Sequence, residues 1–145
     1  MEIPAQSNPK SVLTQLQDAQ NQHDLEAFVA CFDPNYQSEQ PTHPDRAFGG
    51  REQVRRNWSA IFSSFSDFRS ELIRAASMGD TVWAEWRWYG TRADGTRLDL
   101  RGVTIFGVRD GRITWGRLYM ESVQERGAGI DASVKGMTKG SQQEG

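Results

Sequence analysis

The sequence predicts an α+β domain in which three helices pack on a curved antiparallel sheet and enclose a pocket. Three observations predict it. Apolar residues recur at helical spacing through the first half of the chain and switch to a period of two after Asp67. Gly79-Asp80, Asp94-Gly95 and Asp110-Gly111 separate the β-rich runs as hairpin turns do. Helices and strands are segregated along the chain, which argues against a βαβ array.

Asn8-Pro9 reads as a helix N-cap followed by proline at the first helical position. Val12, Leu13, Leu16 and Ala19 form the apolar stripe of that first helix. Asp24 caps a second, with Leu25, Phe28, Val29 and Phe32 on its apolar face, and Asp33-Pro34-Asn35 ends it. His23, between the two, is assigned a surface or capping role. Tyr36 to Glu39 reads as a short strand. Gln40 to Gly50, with two prolines and two glycines, is a loop. A third helix begins at Arg51 and carries Val54, Trp58, Ile61, Phe62 and Phe65 on one side, a stripe suited to packing on a sheet.

Four strands follow as an antiparallel meander: Phe68 to Met78, Thr81 to Tyr89, Leu98 to Arg109 and Arg112 to Val123. The less charged face of each should turn toward the helices. That selects Val82, Ala84, Trp86 and Trp88 on the second, and Leu98, Leu100, Gly102, Thr104, Phe106 and Val108 on the third. The last strand offers two faces. One is Ile113, Trp115, Arg117, Tyr119 and Glu121; the other is Thr114, Gly116, Leu118 and Met120. A bulge that switches the register partway is a third solution. Trp83, Tyr89, Val103 and Ile105 fall on the outer face, where a solvated sheet has no use for them, and predict a homodimer through that face.

A chain of 145 residues fits one domain. The expected division is a flexible N-terminus over 1–10, the domain over 11–125 and a disordered tail over 126–145. That tail is rich in Gly, Ser, Lys and Gln. The net charge of −2, with both signs mixed, gives no basic block for nucleic acid and no polybasic helix for a membrane surface. No run approaches the roughly 18 apolar residues of a membrane span. The first ten residues are polar and lack a signal-peptide core, so a cytoplasmic location is the expectation. Cys31 is the only cysteine, so no intrachain disulfide can form, and its apolar neighbours predict a buried structural thiol. Two distant histidines and one cysteine supply no recognisable metal site.

Several local segments carry a resemblance. Asp24-Leu25-Glu26-Ala27 lies at the helix–helix turn, and Gly49-Gly50-Arg51-Glu52 opens the third helix. Asp80-Thr81-Val82 starts a strand, Asp110-Gly111-Arg112-Ile113 forms the last hairpin, and Tyr119-Met120-Glu121 follows on its strand. With the element order, they make the region from about Ser11 to Val123 similar to the nuclear transport factor 2-like superfamily, and most similar to its SnoaL-like group. The resemblance implies a ligand held in a cone between sheet and helices. It also implies chemistry without a cofactor, carried by one or two ionisable side chains. Two departures stand out. Trp86 and Trp88 occupy the strand where epoxide hydrolases of the superfamily carry an Arg-x-Asp pair. Thr104 falls about where the isomerases place a carboxylic acid.

The candidate catalytic residues are His43, Glu121, Tyr119 and Tyr36. His43 sits in a loop stiffened by Pro41 and Pro44 and can exchange a proton near neutral pH. Its plain alternative is a loop histidine bonded to Asp45 or to backbone. Glu121 in an apolar cone would have a raised pKa and could act as acid or base; otherwise it is an exposed strand-end residue. Tyr119 and Tyr36 are hydrogen-bond donors for a carbonyl oxygen. Trp58, Trp86 and Trp88, with Thr104 and Phe106, are the expected substrate-binding wall, with core packing as the alternative. Arg101 is expected to pair with Glu85 across strands. The functional expectation is a cofactor-free enzyme performing isomerisation, cyclisation, dehydration or hydration on an apolar, ring-containing metabolite. The alternatives are a non-catalytic small-molecule binding protein and a dimeric interaction module on the same scaffold.

Overall fold

Asn8 Oδ1 accepts the Lys10 N–H at 3.0 Å and Asp24 Oδ1 accepts the Ala27 N–H at 3.1 Å. The Asp24 side chain caps the second helix. The first helix starts after Lys10, which makes no side-chain cap bond, so the expected Asn8 cap is corrected: Asn8 sits ahead of the turn that leads into the helix. The computed structural model describes residues 8–143. In it, α1 spans Ser11–Gln22, α2 Leu25–Val29 and α3 Arg51–Ser64. His23 closes α1 in the left-handed conformation at φ 55°. Its Nε2 lies 3.0 Å from the Phe68 carbonyl oxygen and its ring stacks on Phe62 at 4.9 Å, so its role is to tie α1 to α3 and the sheet.

Six strands form one sheet in the order β2-β1-β6-β5-β4-β3. They are β1 (Phe32–Glu39), β2 (Phe48–Gly49), β3 (Arg69–Met78), β4 (Thr81–Thr91), β5 (Arg97–Arg109) and β6 (Arg112–Ser122). The predicted meander is β3 to β6, all antiparallel. The expectation that α2 reaches Phe32 is corrected. That helix stops at Val29, and Phe32 opens an eight-residue strand parallel to β6. Pro34 accounts for this. It has no N–H to donate back to residue 30, and it biases Asp33 toward extended backbone. The register shift between Phe32 and Gln37 absorbs the proline in an irregular stretch of β1.

On β6 the register switches partway along. Gly107 stands opposite Trp115, but Val108 stands opposite Ile113, leaving Thr114 as the extra residue of a bulge. Ile113 is therefore fully buried, while Gly116, Leu118 and Met120 continue the inner face beyond it. Trp115, Arg117, Tyr119 and Glu121 alternate with them on the other side. On β4 and β5, Val82, Ala84, Trp86, Trp88, Thr104, Phe106 and Val108 are buried, as their alternation predicts. The Arg101–Glu85 pair does not form. Arg101 stands opposite Arg87 and bonds Asp99 at 3.3 Å, while Glu85 stands opposite Val103 and bonds Arg74 at 3.0 Å.

The core joins Val12, Leu13 and Leu16 of α1, Phe28 of α2 and Val54 of α3 to the inner sheet face, with Cys31 buried among them. Burial pushes the Cys31 thiol up to about 11, so it stays protonated at neutral pH. The expected disordered tail is also corrected: α4 spans Ile130–Gln143. Ile130, Val134 and Met137 recur on it at intervals of four and three, a helical stripe that its glycines and polar residues obscure in the sequence. From Ile130 to Lys139 every residue is exposed. The expected flexible N-terminus lies outside the described residues from 1 to 7, and residues 8–10 form the turn into α1.

Candidate functional site

A cavity of about 270 Å³ lies between α1, α2 and α3 on one side and β1 with the inner faces of β4, β5 and β6 on the other. Its wall is mainly aromatic. Trp58 of α3 meets Trp88 of β4 edge to face at 5.3 Å, and Trp86 lies 6.0 Å from Trp88 on the same strand face. Phe28, Phe32, Phe48, Tyr36 and Phe106 complete the ring surface. The volume equals that of about nine waters at their liquid share of roughly 30 Å³ each.

The polar groups in the wall are neutral. They belong to Gln20, Tyr36, Ser38, Gln40 and Asn57. Among the described residues, no Asp, Glu, His, Lys or Arg lines the cavity. Tyr36 is 3% exposed, and burial pushes its phenol up to about 12, against a smaller downward pull from Ser38. It is a neutral hydrogen-bond donor or acceptor throughout the physiological range. Gln20 and Trp88 are nearly fully buried, yet Gln20 Oε1 and Trp88 Nε1 have no hydrogen-bond partner. Neither Gln20 nor Asn57 was anticipated from the sequence. Gln20 did carry a signal: it stands four residues after Leu16 and seven after Leu13, on the buried stripe of α1.

The cavity is thus lined by Tyr36, Trp58, Trp86, Trp88 and Phe106 of the expected residues. Thr104 stands behind that wall, fully buried, accepting the Trp86 indole N–H at 2.9 Å. His43, Glu121 and Tyr119 do not line it. Their expected place inside the cone is corrected by the β6 register, which turns Tyr119 and Glu121 to the opposite side of the strand from Leu118 and Met120.

His43 and Glu121 nevertheless meet, 78 residues apart in sequence. His43 Nε2 lies 2.9 and 3.1 Å from the two Glu121 carboxylate oxygens, and Thr42 Oγ1 donates to one of them at 3.3 Å. A carboxylate only accepts, so Nε2 carries the proton and donates. Both side chains are part-exposed, at 35% and 51%. The Glu121 carboxyl is therefore lowered, chiefly by the hydrogen bond from His43, and not raised as an apolar cone would require. Glu121 borders a depression that shares Gln40, Trp88 and Leu118 with the cone. Arg46 Nη1 donates to Gln40 Oε1 at 3.0 Å and braces the same loop.

Among the described residues no group of three His, Cys, Asp or Glu could hold a metal ion, and no helix is long and apolar enough to cross a membrane.

Solved structures share this architecture. One is a protein of ketosteroid isomerase-like fold from Catenulispora acidiphila DSM 44928 in complex with trimethylamine. It is 18% identical, with a TM-score of 0.66, covering 77% of this chain and 85% of its own. IdmH, a candidate polyketide cyclase from Streptomyces antibioticus, is 21% identical with a TM-score of 0.68, covering 79% and 92%. An M. tuberculosis epoxide hydrolase is 18% identical with a TM-score of 0.67, covering 78% and 82%. At these identities the likeness establishes the fold. None of the curated proteins matches the sequence. The family model of the SnoaL-like domain matches residues 13–115, which takes in most of α1, the aromatic residues of the cone and the β6 bulge, and the chain belongs to that family.

Proposed function

We propose that the cone binds a neutral, largely apolar small molecule of one or two rings. The observation that carries this reading is the cavity wall: among the described residues it has eight aromatic side chains, a few neutral polar groups and no charged residue. Such a surface removes apolar area from water at roughly 25 cal/mol per Å² while offering a few hydrogen bonds to set orientation. A carboxylate or phosphate entering it would leave its hydration behind with no cation to receive it. The C. acidiphila structure, which holds trimethylamine, supports a small-ligand role for the fold. The test is titration with 2-naphthol, followed by tryptophan fluorescence. Quenching that saturates in wild type and is lost when Ile61→Trp narrows the cavity supports the reading; no quenching at millimolar probe overturns it.

A second reading is catalytic, and the His43–Glu121 pair favours it. Glu121 accepts the hydrogen bond from His43 Nε2, which leaves Nδ1 as the ring nitrogen available for proton exchange with a ligand. That is the positioning a general base needs for isomerisation, cyclisation, dehydration or hydration without a cofactor. Deuterium exchange at the α-carbons of 2-tetralone, followed by NMR, tests it. Exchange above the buffer rate should fall roughly 10²–10⁴-fold in His43→Gln. Exchange no faster than in buffer would leave the binding reading alone.

The outer sheet face is proposed as a homodimer interface, supported by Trp83 and Trp115 at 36% and 37% exposure. Sedimentation at micromolar concentration should give twice the chain mass, and a folded monomer would argue against it.

A further inference from the structure

The two edges of the sheet are finished differently. β2, at one end, is two residues long and offers little backbone to another strand. β3, at the other end, is ten residues long, and α1 closes only its first half. There the side chains of α1 stand in for a further strand. Asn21 Oδ1 accepts the Ser70 N–H at 2.7 Å, and Asn21 Nδ2 donates to the Ser70 carbonyl at 3.0 Å. Gln17 Oε1 accepts the Leu72 N–H, and His23 Nε2 meets the Phe68 carbonyl. One helical turn before Gln17 the series ends at Leu13, whose side chain has no hydrogen-bonding atom.

Beyond Leu72 the ladder with β4 fixes which groups are left over. Ile73 is the extra residue of a bulge, and Arg74 resumes the pairing opposite Glu85. Met78 and Thr81 flank the Gly79-Asp80 turn as the hydrogen-bonded pair that closes such a hairpin. Hydrogen-bonded and non-hydrogen-bonded pairs alternate along an antiparallel ladder. Ala76, opposite Trp83, is therefore bonded to β4. Ala75, opposite Ala84, and Ser77, opposite Val82, turn their N–H and C=O groups to the free edge. Among the described residues, no bond outside the ladder reaches Ala75 or Ser77. Ala76, Ser77 and Met78 are exposed. An edge of this kind takes another strand, because extended backbone matches its alternating donors and acceptors.

We propose that residues 75–78 of β3 pair antiparallel with the same residues of a second copy of the chain. The segment is self-complementary about Ala76. With Ala76 facing its counterpart across a two-fold axis, Ala75 faces Ser77 and the two exchange both backbone hydrogen bonds, and the symmetric pair repeats the exchange. Arg74 then faces Met78. Its charge, already paired with Glu85 at 3.0 Å, meets a flexible thioether chain and not a second arginine. No charge lies within residues 75–78 to oppose self-pairing, and neither lysine nor proline, the usual guards of an edge, occurs there. The pairing ends where Gly79 of one copy reaches Ile73 of the other, just short of the stretch that α1 closes. This contact uses the edge of the sheet and is separate from its outer face.

Cysteine cross-linking of the full chain reads the register. Residues facing each other in this way stand about 4.5 Å apart at Cα, within the roughly 4.4–6.8 Å that a disulfide spans. In a glutathione redox buffer, Ala76→Cys should collect as a disulfide-linked dimer at least about tenfold more than Asp80→Cys in the neighbouring turn. Cys31 is buried and stays protonated, so it does not compete. In wild type, the Ala75 and Ser77 amides should exchange about three- to tenfold more slowly at about 1 mM protein than at about 10 μM. Ala76→Lys sets two like charges across the axis and should remove that concentration dependence, while the melting temperature holds because the site is exposed. Wild-type exchange tests the proposal even where a variant does not fold. Cross-linking of Ala76→Cys no greater than that of Asp80→Cys, or exchange that ignores concentration, overturns it. Protection of both amides in a monomer assigns the edge to the chain's own residues and overturns it as well. A dimer in which both amides stay open belongs to the outer sheet face, and overturns this pairing while leaving that one.

Discussion

Trp86 donates its indole N–H to Thr104 Oγ1 at 2.9 Å between β4 and β5, and both side chains are fully buried. This bond gives Trp86 a structural role, whereas the Trp88 indole N–H is buried without a partner. Thr104→Val keeps the shape of the residue and removes the acceptor. The Trp86 N–H would then be buried unpaired, at a cost of about 1–3 kcal/mol. Denaturant unfolding should register that loss with an unchanged m value. A neutral substitution would mean that Trp86 reaches another acceptor.

Trp58 is half-buried and joins both layers of the cone. Its ring lies 4.6 Å from Phe28, 5.3 Å from Trp88 and 5.4 Å from Phe68. A fully buried tryptophan loses about 3–5 kcal/mol on truncation to alanine, and partial exposure places Trp58→Ala at about 2–4 kcal/mol. The same change enlarges the cavity, so two-ring probes should gain affinity relative to ethylbenzene. Thermal unfolding and 2-naphthol titration of one variant check both halves.

The cone was legible because its strands alternate cleanly. Glu85 and Arg87 mark one face of β4, and Trp86 and Trp88 the other, with no bulge to disturb the period between them. Where backbone irregularity enters, the pattern misleads. Phe32 continues the helical spacing of Phe28 yet begins β1, because Pro34 ends the helix at a distance. The extra residue Thr114 swaps the faces of β6, so Ile113 and Glu121 share a sequence parity but not a side of the sheet. The His43–Glu121 contact depends on how the loop from Gln40 to Ala47 folds back along β6. Spacing could nominate each residue singly without joining them. Gln20 reads as an ordinary polar helix residue until its burial is known.

At Gly116, β6 passes close to the Tyr36 hydroxyl. A Cβ built there would lie 2.5 Å from Tyr36 Oη and 3.0 Å from Phe106 Cδ1. Gly116→Ala must therefore displace the phenol or the ring, at about 1–3 kcal/mol for overpacking. Because Tyr36 and Phe106 both line the cavity, affinity for 2-naphthol should fall along with stability. A fall in stability with unchanged affinity would place the strain on the β1 side of the contact.

Removal of α4 should be nearly silent for folding. Ile130 and Met137 are 78% and 70% exposed, so the helix buries little apolar surface to offset its ordering. Truncation after Glu125 is expected to leave the melting temperature within about 2 °C of the full chain. A larger drop would mean that the stripe from Ile130 to Met137 is covered in solution.

The clamp between His43 and Glu121 should open in acid. The Glu121 carboxyl is held below its ordinary value of 4.5, first by the hydrogen bond from His43, with Thr42 and the nearby Arg46 charge also lowering it and partial desolvation opposing them. A carboxyl whose folded pKa is depressed stabilises the fold above its unfolded value, and that contribution disappears as pH falls through the folded one. At neutral pH the loop from Gln40 to Ala47 is therefore tied to β6; below about pH 4.5 the tie weakens and then breaks. Because the pair is exposed, the effect is local, and global stability is a poor readout. The backbone amides of Thr42 to Arg46 should instead shift and exchange faster in acid by NMR, while those of the buried strands hold. Glu121→Gln removes the titrating proton and should give an acid-independent loop that resembles the wild-type protein at low pH. High salt should reproduce part of the same opening, since it screens a charge-assisted contact at the surface. If the loop amides of the wild-type protein ignore pH between 6 and 3, the contact carries no energy in solution, and the catalytic reading loses the residue that orients its base.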